Sequence, residues 1–185
     1  MPTPLDKGGK SKATFREEIT HERQSVNNNL ADALVAWSSV EAALNNLFSL
    51  LLTGEPRNRN TSLVFYAIEN FRSKQRVIHV LASELLKDPL LAKWNILNGH
   101  LSKRVTKRNK IAHHDVLEAQ FKPPGKRVSL IQPANNPLTS KDLSHGKTKG
   151  LHAHDLKEAC LEFHKLSGDI DNLARQIELS SKPLR

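Results

Sequence analysis

From Phe15 to Leu52 the chain repeats apolar residues in alternating steps of four and three, through Leu30, Leu34, Trp37, Leu44, Phe48 and Leu51. That spacing predicts one long helix with a buried stripe, the signature of a helix bundle. The run stops at Thr53-Gly54-Glu55-Pro56, where Gly and Pro break a helix. One position in the seam is out of character. Glu41 comes four residues after Trp37 and three before Leu44, so a carboxylate stands where an apolar side chain belongs. Such a group needs a partner or a functional reason.

The remaining chain reads as more helices. Thr61-Ser62 can cap a short helix running to about Asn70. Phe71, Lys74, Ile78, Leu81 and Leu85 form a second stripe that ends at Asp88-Pro89. Lys74 in that stripe reads as a snorkelling side chain. A further helix starts near Pro89, with Leu91, Trp94, Leu97, Leu101 and Val105 on its face. The same spacing then reaches Arg108 and Ala112, so the apolar seam turns basic. A last helix runs from about Asp155 to Leu179 on Leu156, Cys160, Phe163, Ile170, Leu173 and Ile177.

Between them, residues 116–150 are rich in Gly, Pro, Asn and Ser. Val128 and Leu130 alternate with polar neighbours, which predicts one short strand or hairpin. From Lys122 to Lys149 there are six Lys or Arg and one Asp. This basic loop either tracks a nucleic-acid backbone or is a solvated insertion. The expected architecture is all-α: an up-and-down bundle of four to five helices, with a basic loop or short β insertion before the last one. Residues 15–179 form the single domain, flanked by tails at 1–14 and 180–185.

Composition narrows the function. At 185 residues one domain is expected. The chain carries 28 Lys and Arg against 19 Asp and Glu, a formal charge of +9, which leans toward polyanionic partners. Cys160 is the only cysteine, so an internal disulfide framework and a Cys-rich zinc module are excluded. On its apolar stripe it reads as a small buried hydrophobe. Trp37 and Trp94 read as core anchors. His145, His152 and His154 lack the Cys or carboxylate partners that would complete a tetrahedral site, so no metal and no cofactor is expected. The polar start, Met1 to Ala13, lacks the apolar core of a secretory leader, and no apolar run approaches roughly 20 residues. A cytoplasmic protein without membrane contact is the expectation.

The chemistry concentrates between Arg104 and Asp115. Arg104, Lys107, Arg108 and Lys110 stand beside His113 and His114. On a helix Asn109 and His113 are four apart and share a face. A guanidinium fork, an orienting amide and an imidazole are the groups a phosphodiester calls for. The plainer reading is a solvated helix end whose cations meet the C-terminal dipole.

Arg108-Asn109-Lys110-Ile111-Ala112-His113 resembles the Arg-polar-x(3–5)-His motif of the HEPN (higher eukaryotes and prokaryotes nucleotide-binding) superfamily, in its Arg-Asn-x-x-Ala-His form. The long first helix with an acidic residue in its seam is also similar to members of that family. The resemblance spans roughly Leu30 to Ile177, leaving out the insertion. It implies a four- to five-helix bundle that dimerises through the motif-bearing helices, each protomer adding its motif to one cleft. It further implies a metal-independent endoribonuclease in which the ribose 2′-OH attacks phosphorus to leave a 2′,3′-cyclic phosphate. Toxins, paired with a protein antitoxin, and phage-defence effectors are common in the family. Under it Arg108, Asn109 and His113 would be catalytic. Arg104, Lys107, Lys110 and His114 would bind RNA, with His114 the working histidine if the helix end twists differently. Glu41 would support the site by pairing with Arg108 or Arg104, or else form a plain interhelical ion pair. The alternatives are a non-catalytic RNA- or nucleotide-binding or protein-interaction module of the same fold and, last, a helical DNA-binding regulator.

Overall fold

A computed structural model describes residues 12–113, 115–120, 127–132 and 150–181. It is an all-α bundle. The helices are α1 (Lys12–Thr53), α2 (Arg59–Ala67), α3 (Phe71–Leu85), α4 (Leu90–His113) and α5 (Ala153–Ser181). A two-stranded antiparallel ribbon, β1 (Asp115–Gln120) and β2 (Arg127–Gln132), lies between α4 and α5.

α1 begins at Lys12, three residues inside the expected tail, and stops at the Gly54 breaker. Gly54 takes φ 74°, and its N–H returns to the Leu50 carbonyl at 2.9 Å. This left-handed C-terminal cap costs Gly little. The buried stripe of α1 is wider than the four-three seam. Ala33, Ala36, Val40, Ala43 and Leu47 are in the core, whereas Leu34 is 37% exposed. The width follows from the neighbours, since α1 touches all four other helices and β2.

The corner into α2 is built by hydroxyls. The buried Ser49 hydroxyl donates to the Glu55 carbonyl and accepts from the Asn58 N–H, both at 2.9 Å. Asn58, not Thr61-Ser62, caps α2, accepting from the N–H groups of Asn60 and Thr61. α2 ends at Ala67, and Asn70 caps α3 by accepting from the Arg72 N–H at 2.8 Å. On α3, Leu86 just beyond the helix end is buried and Leu85 is exposed, reversing the expected last step of the stripe.

Side-chain pairs give the directions. Asn29 donates to the Ala153 carbonyl at 2.9 Å, Trp37 meets Phe163 edge-on at 5.1 Å, and Leu51 lines one cavity with Ile177. α1 and α5 therefore run parallel. α3 is also parallel to α1, with Phe71 at 4.9 Å from Trp37 and Lys74 at 3.2 Å from Glu41. α4 descends against α3 and α5: Trp94 donates to His79 at 3.2 Å, and Lys93 to Gln176 at 2.7 Å. Short α2 provides the first descent, so the chain goes up, down, up, down, up.

The core gathers at this centre, with Trp94, Phe65, Phe163, Leu44, Leu47 and Ile78 fully buried. Both tryptophans are core anchors, as their spacing predicts. One window within α1 is long and apolar enough to cross a bilayer, but most of it is buried inside the bundle, as befits a central helix. The strand expected around Val128 and Leu130 is β2, and its partner β1, from Asp115, is one that no alternation had marked. β2 packs on α1, and its buried Ile131 exchanges two 2.9 Å hydrogen bonds with Leu151. The end of α4, the start of the ribbon and the start of α5 thus meet at one end of the bundle.

Candidate nucleic-acid interface

The last three turns of α4 divide into three faces. Leu101, Val105 and Ile111 point into the core. The core line therefore passes through Ile111, while Ala112, the position expected from the spacing, is exposed. Lys103, Thr106, Asn109, Lys110 and His113 are exposed. Arg104, Lys107 and Arg108 lie between, each half-buried.

Arg108 donates from Nη1 to the Asn109 Oδ1 at 3.3 Å. Its Nε is buried and has no hydrogen-bond partner among the described residues. A buried donor without an acceptor costs on the order of 1–3 kcal/mol, and the Nη groups of the half-buried side chain are the part of this guanidinium nearest solvent. Asn109 and His113, four apart, open to solvent on one face. Arg108 and His113 are five apart, which is about 140° round the axis at 3.6 residues per turn. The continuous helix α4 joins the cation to the amide and the amide's face to the imidazole, and no hydrogen bond links Arg108 to His113 among the described residues. His114 and His145 lie outside the described residues.

Arg104 and Lys107 are not free cations. Arg104 Nη2 is 3.1 Å and Lys107 Nζ 3.3 Å from the two carboxylate oxygens of Glu162 on α5. Sequence reading missed Glu162. Its only local signal is an acidic residue beside the apolar stripe of α5, next to Phe163. Lys110 and His113 make no ion pair among the described residues.

Glu41 does not support this site. Its Oε1 accepts from Trp37 Nε1 at 2.9 Å, and its Oε2 pairs with Lys74 at 3.2 Å. Lys74 lies 4.9 Å from the Phe65 ring centroid and 5.3 Å from that of Tyr66. The expected partners Arg108 and Arg104 are engaged elsewhere, with Asn109 and Glu162. The seam carboxylate is thus half of an interhelical ion pair joining α1 to α3, and Lys74 is buried rather than snorkelling. Its ammonium adds a cation–π contact to that pair.

Cys160 is half-buried, less than its stripe suggested. Burial and, second, the nearby Asp32 carboxylate push its thiol pKa up, which leaves little thiolate for chemistry. His154 reaches Glu158 at 3.9 Å. No group of three His, Cys, Asp or Glu side chains fit to hold a metal occurs among the described residues. The chain matches no protein-family model, no curated protein and no solved structure at a significant level.

Proposed function

We propose that the exposed and basic end of α4 is an RNA-binding face, and that the protein is a metal-independent endoribonuclease of the HEPN type. The observation that carries this reading is the half-buried Arg108, held to Asn109 at 3.3 Å, with that amide one helical turn from an exposed His113. A phosphate oxygen accepts from the Nη groups of Arg108. His113 takes the proton of the ribose 2′-OH, the 2′ oxygen bonds to phosphorus, the bond from phosphorus to the 5′ oxygen breaks, and that oxygen takes a proton from water. The products are a 2′,3′-cyclic phosphate and a 5′-OH.

The angle between Arg108 and His113 gives the second copy its role. One protomer offers each phosphate a guanidinium or an imidazole, whereas two α4 helices facing each other across a two-fold axis offer both. The dimer is therefore part of the proposal, and so is a restraining partner, such as an antitoxin protein, for an enzyme that attacks RNA. The same angle favours the second reading, a monomeric RNA-binding module without cleavage.

The test is an RNA cleavage assay in EDTA with wild type, Arg108→Ala and His113→Ala. Cyclic-phosphate ends from wild type, falling about 10²–10³-fold without Arg108 and about 10²–10⁴-fold without His113, support the enzyme. Equal rates in all three refute it. Salt-sensitive binding without cleavage by a folded protein selects the binding module.

A further inference from the structure

We infer that Glu162 occupies, in the free protein, the place of an RNA phosphate at Arg104 and Lys107, and that RNA binds there by displacing it. This rests on the reading of the α4 end as an RNA-binding face. A carboxylate and a phosphodiester present the same thing to a cation pair: two anionic oxygens a short distance apart. Glu162 gives one oxygen to each cation, at 3.1 and 3.3 Å. That is the arrangement by which a backbone phosphate bridges two basic side chains.

The three groups are also placed for exchange. Arg104, Lys107 and Glu162 side chains are 33%, 25% and 34% exposed, so the pairs lie at the surface and are worth little each. The cleft beside them, lined by His100, Arg104, Glu162, Lys165, Leu166 and Asp169, has a volume of about 90 Å³. That is room for a few waters, at about 30 Å³ each, and not for a nucleotide. An incoming strand therefore stays on the surface and takes over the outer side of Arg104 and Lys107. Lys110 and Lys103, exposed on the same helix, are open to phosphate from the start. Glu162 thereby sets how many α4 cations are free for nucleic acid, and holds affinity below what the basic charge alone would give.

The test is fluorescence anisotropy of a labelled oligoribonucleotide across a salt series, using full-length protein checked for folding by circular dichroism. Glu162→Gln should tighten binding roughly three- to tenfold at low salt, the effect of releasing two partly exposed pairs. The gap to wild type should narrow as salt screens the pairs. Glu158→Gln removes the same charge from α5 one turn away, where the carboxylate meets only His154 among the described residues; it should change binding less than twofold. In an Arg104→Gln/Lys107→Gln background, Glu162→Gln should have no effect. Wild-type binding with equal responses to Glu162→Gln and Glu158→Gln, or a Glu162→Gln effect that survives in that background, overturns the inference and leaves the RNA face standing. Absence of binding by every variant removes the RNA face and the inference with it.

Discussion

Glu41 occupies the seam of α1 because Lys74 and Trp37 satisfy both of its oxygens. The Lys74 side chain is 8% exposed, so removing the carboxylate strands an ammonium among Phe65, Tyr66 and the core. Glu41→Gln keeps an acceptor for Trp37 but removes the charge, and should cost on the order of 3 kcal/mol in urea unfolding. Adding Lys74→Met should recover most of that loss, since the stranded charge goes with it. A cost under about 0.5 kcal/mol would show that the pair contributes nothing. Cys160 offers a pH test. Its raised pKa means less thiolate at any given neutral or mildly alkaline pH, so alkylation should be slower in the folded protein than in urea. The rate should climb with pH through an inflection above that of the unfolded chain. Asp32→Asn should move the inflection down only part of the way, because burial is the larger cause. An inflection at the same pH folded and unfolded would contradict this.

Helix ends and stripes show where local pattern suffices. Gly54 stops α1 where the sequence says it must. The start of α2 is different, because Asn58, Thr61 and Ser62 are all capping types. Asn58 prevails, and the Thr61 and Ser62 hydroxyls turn back to donate to the Asn58 carbonyl at 2.9 and 3.0 Å. Such short-range bonds compete with capping for the same residue types. Asn58→Ala should therefore cost about 1 kcal/mol, measured by thermal or urea unfolding. On α1 a stripe of large apolar residues leaves out the alanines, yet Ala33, Ala36 and Ala43 are buried. Small residues belong where neighbouring helices approach closely. On α4 the seam departs at its last step, to Ile111 rather than Ala112, because three- and four-residue steps fit the same face equally well until a neighbour chooses.

At the scale of the molecule, the ribbon decides the topology around the candidate site. α4 descends, β1 and β2 turn at its foot, and α5 rises from there parallel to α1. That brings Glu162 opposite Arg104 and Lys107, 55 residues from Lys107 in sequence. The all-α class, the long first helix and its stop, the core tryptophans and the basic character of the α4 end are all legible along the chain. These follow from periodicity, breakers and charge, which act over a few residues. Which charges are spent on each other is settled by how the helices pack. Glu41 goes to Lys74, Glu162 goes to Arg104 and Lys107, and Arg108 keeps a buried nitrogen without an acceptor among the described residues. The physical reason is that an ion pair between helices depends on their direction, register and rotation, and none of these is written in the spacing along one helix.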